Sequence, residues 1–146
     1  MAMTRSASAT WQGDLPTGEG TVSTASEFLQ AVPTSWRART EDATGQTSPE
    51  ELLAAAHASC FSMAFSNELS KAGFVPNRVE VTVDMTADKR EMGWTVLSSQ
   101  ITARGWVPNV DDETFQAMAN KAKEGCPISR ALAGNVELSV TATLES

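Results

Sequence analysis

The chain has 146 residues, 41% of them apolar, which suits one ordinary domain with a real core and excludes disorder for the bulk. Its 18 acidic against 11 basic residues give a formal charge of −7 with no basic cluster, an argument against nucleic acid or an anionic membrane surface as main partner. No apolar run approaches the roughly 20 residues of a membrane span.

The start, Met1-Ala2-Met3-Thr4-Arg5, has no hydrophobic stretch behind its charge and does not read as a secretory signal. The expected compartment is therefore the cytosol, where a cysteine pair is kept reduced and any disulfide is transient. Ser6 to Trp11 reads as a strand. A turn-rich stretch with Gly13, Pro16, Gly18 and Gly20 follows, and Gly20 to Thr24 reads as a second strand. From Ser35 to Glu41, Trp36, Ala38 and Thr40 alternate with Arg37, Arg39 and Glu41, which predicts a third strand. Residues 42–48 form a polar loop.

Ser48-Pro49-Glu50-Glu51 predicts a helix start: Ser48 caps, Pro49 takes the first helical position and Glu51 completes a capping box. The run from Leu52 to Leu69 is apolar or small on every side in its first half, the pattern of a helix buried all round, and Gly73 stops it. Val79, Val81, Val83 and Met85 alternate with polar residues as a strand, and Trp94 to Trp106 gives another. Asp111-Asp112-Glu113 opens a helix carrying Phe115, Met118, Ala119 and Ala122 and ending near Gly125; Pro127 allows a short helix through Leu132. Val136 to Leu144 alternates as the last strand. The order β-β-β-α-β-β-α-β, with strands consecutive at both ends, predicts an α+β fold with antiparallel sheets and a single domain over residues 1–146.

Cys60 lies mid-helix and Cys126 directly before Pro127. Free cysteine often only fills space. With one histidine in the chain, neither cysteine finds a zinc spacing, so no metal site is expected. As a nucleophile, Cys60 needs help. Apolar burial raises a thiol pKa, and the helix-terminus effect fades within the first turn. His57, three residues earlier, shares its helix face and suggests a Cys-His dyad. Arg37 or Arg39 could instead supply a fixed charge, with Glu50 or Glu51 as the carboxylate a buried arginine needs. The residues alone do not choose between these.

Several segments together carry a family likeness. Trp11-Gln12-Gly13-Asp14, Gly18-Glu19-Gly20-Thr21-Val22-Ser23-Thr24, Ser48 to Leu53, Ala55-Ala56-His57-Ala58-Ser59-Cys60-Phe61 and Lys121 to Ser129, with Gly125-Cys126-Pro127 inside it, resemble the osmotically inducible OsmC branch of the OsmC/Ohr family. The resemblance runs from about residue 8 to the C-terminus, and the two cysteine motifs stand in the family's order. It implies an intertwined α+β homodimer that reduces organic hydroperoxides with cysteine alone, without metal or bound cofactor. By the same resemblance Cys60 is the attacking thiol and Cys126 the resolving one, joined transiently as a disulfide. Arg39 is the catalytic arginine and Glu50 orients it. The preceding loop is one residue longer than in other OsmC sequences, which leaves Arg37 as the alternative arginine. The family does not rely on His57, which favours arginine over the dyad. An external dithiol, of lipoyl type by analogy, restores the thiols. Leu53, Phe61, Met63 and Phe65 near Cys60 favour alkyl or aryl hydroperoxides over hydrogen peroxide. A non-enzymatic redox sensor or binding protein on the same fold is the alternative function.

Overall fold

The computed structural model describes residues 1–41 and 45–146, so residues 42–44 of the expected polar loop lie outside the described residues. The fold is α+β, and the chain divides into two compact units, Met1–Leu52 and Leu53–Ser146. In the first unit, β1 (Ala7–Gln12), β2 (Glu19–Thr24) and β3 (Val32–Thr34) form an antiparallel sheet in the order β1-β2-β3. Gly20 is needed here: a Cβ on it would stand 2.7 Å from the Trp11 ring and 2.8 Å from the Thr34 hydroxyl.

The expected third strand over Ser35–Glu41 is instead a short helix, α1 (Trp36–Thr40). Two local interactions override the alternation. The Ser35 hydroxyl accepts the Ala38 N–H at 3.0 Å as an N-cap, and Arg37 pairs with Glu41 one helical turn on, at 3.1 Å. The strand lies upstream, where Pro33 is tolerated because β3 is the sheet edge.

Helix α2 (Pro49–Lys71) starts where the sequence predicts. The Ser48 hydroxyl accepts the Glu51 N–H at 3.1 Å, but the Glu51 carboxylate takes a hydrogen bond from Thr47, at 2.8 Å, rather than closing the box onto Ser48. At the other end Gly73, at φ +94, lets the Phe74 N–H reach back to the Leu69 carbonyl at 2.9 Å. Only one face of α2 is buried in the single chain, His57, Phe61, Phe65 and Leu69, while Met63 on another face is 65% exposed. Within the single chain its other faces are not enclosed. Small Ala and Ser residues leave the face assignment to the few large side chains.

In the second unit, β4 (Arg78–Arg90) and β5 (Gly93–Trp106) form a long antiparallel hairpin. Helices α3 (Asp112–Gly125) and α4 (Pro127–Leu132) then carry the chain back, so β6 (Glu137–Glu145) pairs with β5 in parallel. The wholly antiparallel expectation fails at this strand because two helices in the connection make a crossover rather than a hairpin. The core joins Phe61, Phe65 and Leu69 of α2 to Phe115 and Ala119 of α3 and to Ile101 of β5. Each large apolar side chain there contributes about 1.5–3 kcal/mol by burial. The Phe65 and Phe115 rings meet at 5.1 Å, and Gly105 admits Phe115: a Cβ there would lie 2.6 Å from the ring. No helix of the described residues is long and apolar enough to cross a membrane.

Candidate functional site

The first unit holds an arginine-carboxylate pair. Helix α1 sets Arg39, and Glu50 is the second residue of α2. Both Nε and Nη2 of Arg39 donate to Glu50 Oε1, each at 2.8 Å. The Glu50 side chain is only 13% exposed, and its other oxygen is buried without a hydrogen-bond partner among the described residues. A carboxylate so held fixes the guanidinium's orientation more firmly than an exposed pair does. Arg39 also lines an apolar cavity of about 290 Å3 with Ala9, Trp11, Leu15, Trp36 and Leu52. Arg37, the alternative arginine, pairs instead with Glu41, and its side chain is 74% exposed.

The second unit holds the thiols. Cys60 on α2 is half-buried, and Cys126, the residue between α3 and α4, is wholly buried; both are free. Each thiol acts on the other's acidity. Burial pushes the Cys60 thiol up, and its bond and proximity to Cys126 push the same way, against one backbone N–H from Ile128. Cys126 is also raised by burial, but the Cys60 S–H, the Ser129 N–H and hydroxyl and the Ile128 N–H together bring it below the ordinary thiol value. These groups thus favour negative charge on Cys126, and among the described residues no lysine or arginine shifts either thiol. For Cys60 to be the thiolate, a positive charge beside it is needed. Access favours Cys60 all the same, since a groove of about 430 Å3 opens onto it, lined also by Met63, Glu68, Lys71 and Lys121. Both lysines of that groove are held by Glu68, at 3.3 and 3.7 Å.

His57 forms no dyad with Cys60. Its ring is fully buried, with Nδ1 2.7 Å from the Ser99 hydroxyl and Nε2 2.7 Å from the Ser129 hydroxyl. Burial lowers its pKa, so it stands neutral. Sequence reading did not single out Ser99 or Ser129. A buried histidine demands two polar partners, but nothing in the chain says which residues two strands and helices away will supply them. No group of three or more side chains able to hold a metal occurs among the described residues.

The OsmC-like protein family model matches residues 41–141. Peroxiredoxin OsmC of Escherichia coli strain K12 is 41% identical over 138 residues, 94% of this chain and 96% of that protein. The organic hydroperoxide resistance protein OhrB of Bacillus subtilis strain 168 is 31% identical over 102 residues, 69% of this chain and 72% of that one. Among solved structures, an organic hydroperoxide resistance protein from Elizabethkingia anophelis superposes with a TM-score of 0.79 at 24% identity, covering 99% of this chain and 100% of that one.

The neutral, buried His57 has a consequence for stability. Its folded pKa lies below the value of about 6.5 it takes when unfolded, so the unfolded chain binds the extra proton. Stability is fully present above that value and falls as pH drops below it, by up to about 1.4 kcal/mol per pH unit. Asp14 and Asp111, held below the carboxylate range by Thr17 and Thr114, lose their contribution only at lower pH. Urea unfolding between pH 7 and 5 should show a falling midpoint that His57→Gln flattens; a flat wild-type profile contradicts the buried neutral imidazole.

Proposed function

The chain belongs to the OsmC-like protein family, and from that premise we propose that it is a thiol peroxidase reducing organic hydroperoxides to alcohols. The observation that carries the reading is the pair of free thiols acting on each other, one half-open and one buried. The Cys60 thiolate attacks the outer oxygen of R–O–O–H, the O–O bond breaks, and the alkoxide leaves with a proton as alcohol. The resulting Cys60 sulfenic acid condenses with the Cys126 thiol next to it, giving a disulfide and water. An external dithiol, which we take to be of lipoyl type, reduces the disulfide in two exchanges and leaves oxidised. The chemistry calls for no resident metal or prosthetic group.

Arg39 is the cation we assign to Cys60. It cannot lose its proton, so it holds a thiolate at any physiological pH and also steadies charge on the leaving oxygen. Glu50 keeps it oriented. The apolar cavity beside Arg39 suits an alkyl or aryl group. Residues 1–146 work in this reading as one functional domain, in a reducing cytosol where thiols stay free between turnovers. The working form we assign is a homodimer, supported by Met63, a large apolar side chain that α2 leaves uncovered.

The test is turnover of cumene hydroperoxide coupled to a dithiol. Cys60→Ser should be inactive. Cys126→Ser should consume about one equivalent per chain and then stall or over-oxidise. Arg39→Ala should slow Cys60 oxidation about tenfold or more, since each pKa unit is about 1.4 kcal/mol of thiolate stabilisation; His57→Asn should leave that step unchanged. Substantial turnover by Cys60→Ser sinks the assignment, and a larger loss from His57→Asn than from Arg39→Ala at the first step reinstates the histidine. A stoichiometric redox sensor would form the disulfide once without turning over. Sedimentation at low micromolar concentration should give twice the chain mass of 15.5 kDa, and an active monomer would contradict the dimer.

A further inference from the structure

The proposed cycle leaves open which sulfur of the disulfide the reductant strikes, and the second unit answers by access. Cys126 is at 0% exposure, while Cys60 is half-buried and lines the groove of about 430 Å3 beside α2. That groove has two unlike ends. Cys60 stands at one, with Gly125 and Pro127, the chain neighbours of Cys126, on its walls. Ala64 and Ala122 line it further along. At the other end Lys71 on α2 and Lys121 on α3 reach separate oxygens of Glu68, at 3.3 and 3.7 Å. Glu68 thus gathers two ammonium groups eight residues along α2 from Cys60, about 12 Å away by helical rise. One carboxylate against two cations leaves this end net positive, and both lysine side chains stay about two-thirds exposed, at 65% and 64%.

We propose that this groove is the entry of the reducing dithiol: its thiolate attacks the Cys60 sulfur, Cys126 leaves as the thiolate, and Lys71 with Lys121 binds a carboxylate at the far end of the dithiol's chain. The inference rests on the peroxidase reading for the origin of the disulfide. The ligand class is a dithiol on a short saturated chain that ends in a carboxylate. The alanines leave room for methylene groups. The ammonium groups, already held by Glu68, lose less freedom on pairing than free lysines would. A net positive groove end also draws in a ligand that carries a thiolate and a carboxylate.

In the first exchange a bond forms between a dithiol sulfur and Cys60. The Cys60–Cys126 bond breaks, and its electron pair leaves on Cys126, which takes up a proton. In the second, the dithiol's other sulfur attacks its partner sulfur in the mixed disulfide and releases Cys60. The dithiol departs as a cyclic disulfide, oxidised by two electrons, and the protein disulfide is reduced by two. Attack at Cys60 also makes the better leaving group leave. Burial raises the Cys126 thiol, but its neighbours bring it below the ordinary thiol value, whereas Cys60 is pushed up. A thiol of lower pKa leaves faster.

The test starts from protein oxidised to the disulfide with diamide, so no hydroperoxide is involved. If diamide forms no Cys60–Cys126 disulfide, the proposal falls, since a dithiol then has nothing to reduce. Mercaptohexanoate, a carboxylate-tailed thiol without the second sulfur, should stop at a mixed disulfide on Cys60, located by peptide mass spectrometry after acid quenching and alkylation of the released Cys126. The adduct on Cys126 overturns the proposal. For the lysines, stopped-flow reduction is compared for dihydrolipoate and dihydrolipoamide, which differ in tail charge. Wild type should favour dihydrolipoate, and Lys71→Gln with Lys121→Gln should lower that preference about fivefold, the upper scale of an exposed charge pair. Lys71→Arg with Lys121→Arg, which keeps the charge, should restore it. No preference in wild type, or one unchanged in the glutamine variant, overturns the carboxylate site, and a purely structural loss would slow both reagents alike. Wild type that consumes no cumene hydroperoxide sinks the peroxidase reading and leaves these readouts standing.

Discussion

A thiolate cannot be held in an apolar site without a partner, and the contact between Cys60 and Cys126 decides what that partner must be. Each thiol shifts the other's acidity, and the balance of neighbouring groups, Ile128 and Ser129 among them, favours negative charge on Cys126. Cys60, the sulfur that a substrate can reach, is pushed the other way by burial and by its neighbour. Nucleophilic chemistry at Cys60 therefore asks for a fixed positive charge beside it. In the proposed reading the Arg39–Glu50 pair answers that demand. Ion pairs of this kind are weak evidence for stability in themselves, because desolvation offsets their attraction.

The choice of arginine follows from the same physics. Histidine would lose its charge near neutral pH, and the one histidine here is committed to two serines in a water-free core. Lysine would bring charge but not a planar fork anchored by Glu50. In the proposed reading, a guanidinium anchored by Glu50 turns its remaining donors to a sulfur and a leaving oxygen. Trp11, Trp36 and Leu52 line the apolar cavity that Arg39 shares.

Much of the fold was legible in the sequence where one strong local signal coincided with tertiary need. The cap at Ser48, the stop at Gly73 and the period-2 runs from Val79 and Val136 all appear as expected. Segments with two competing signals were misread. Ser35 to Glu41 satisfies both an alternating strand and a capped helical turn, and only the pairing of β3 with β2 shows which prevailed. The parallel pairing of β6 depends on where α3 and α4 return the chain, which no local pattern encodes. At the site, the cysteines and the Arg39–Glu50 pair were reached through family motifs. The partners of His57 were not, because a buried polar network is written in distant residues whose types, two serines, are common everywhere.

The central claim is that a hydroperoxide oxidises Cys60 and that Cys126 closes onto it. Wild-type protein, reduced and freed of small thiols, is mixed with one equivalent of cumene hydroperoxide per chain; the alcohol released and the linked peptides are then quantified by mass spectrometry. The account predicts one alcohol per chain and one peptide pair joined through Cys60 and Cys126. Unconsumed hydroperoxide with both thiols intact contradicts it.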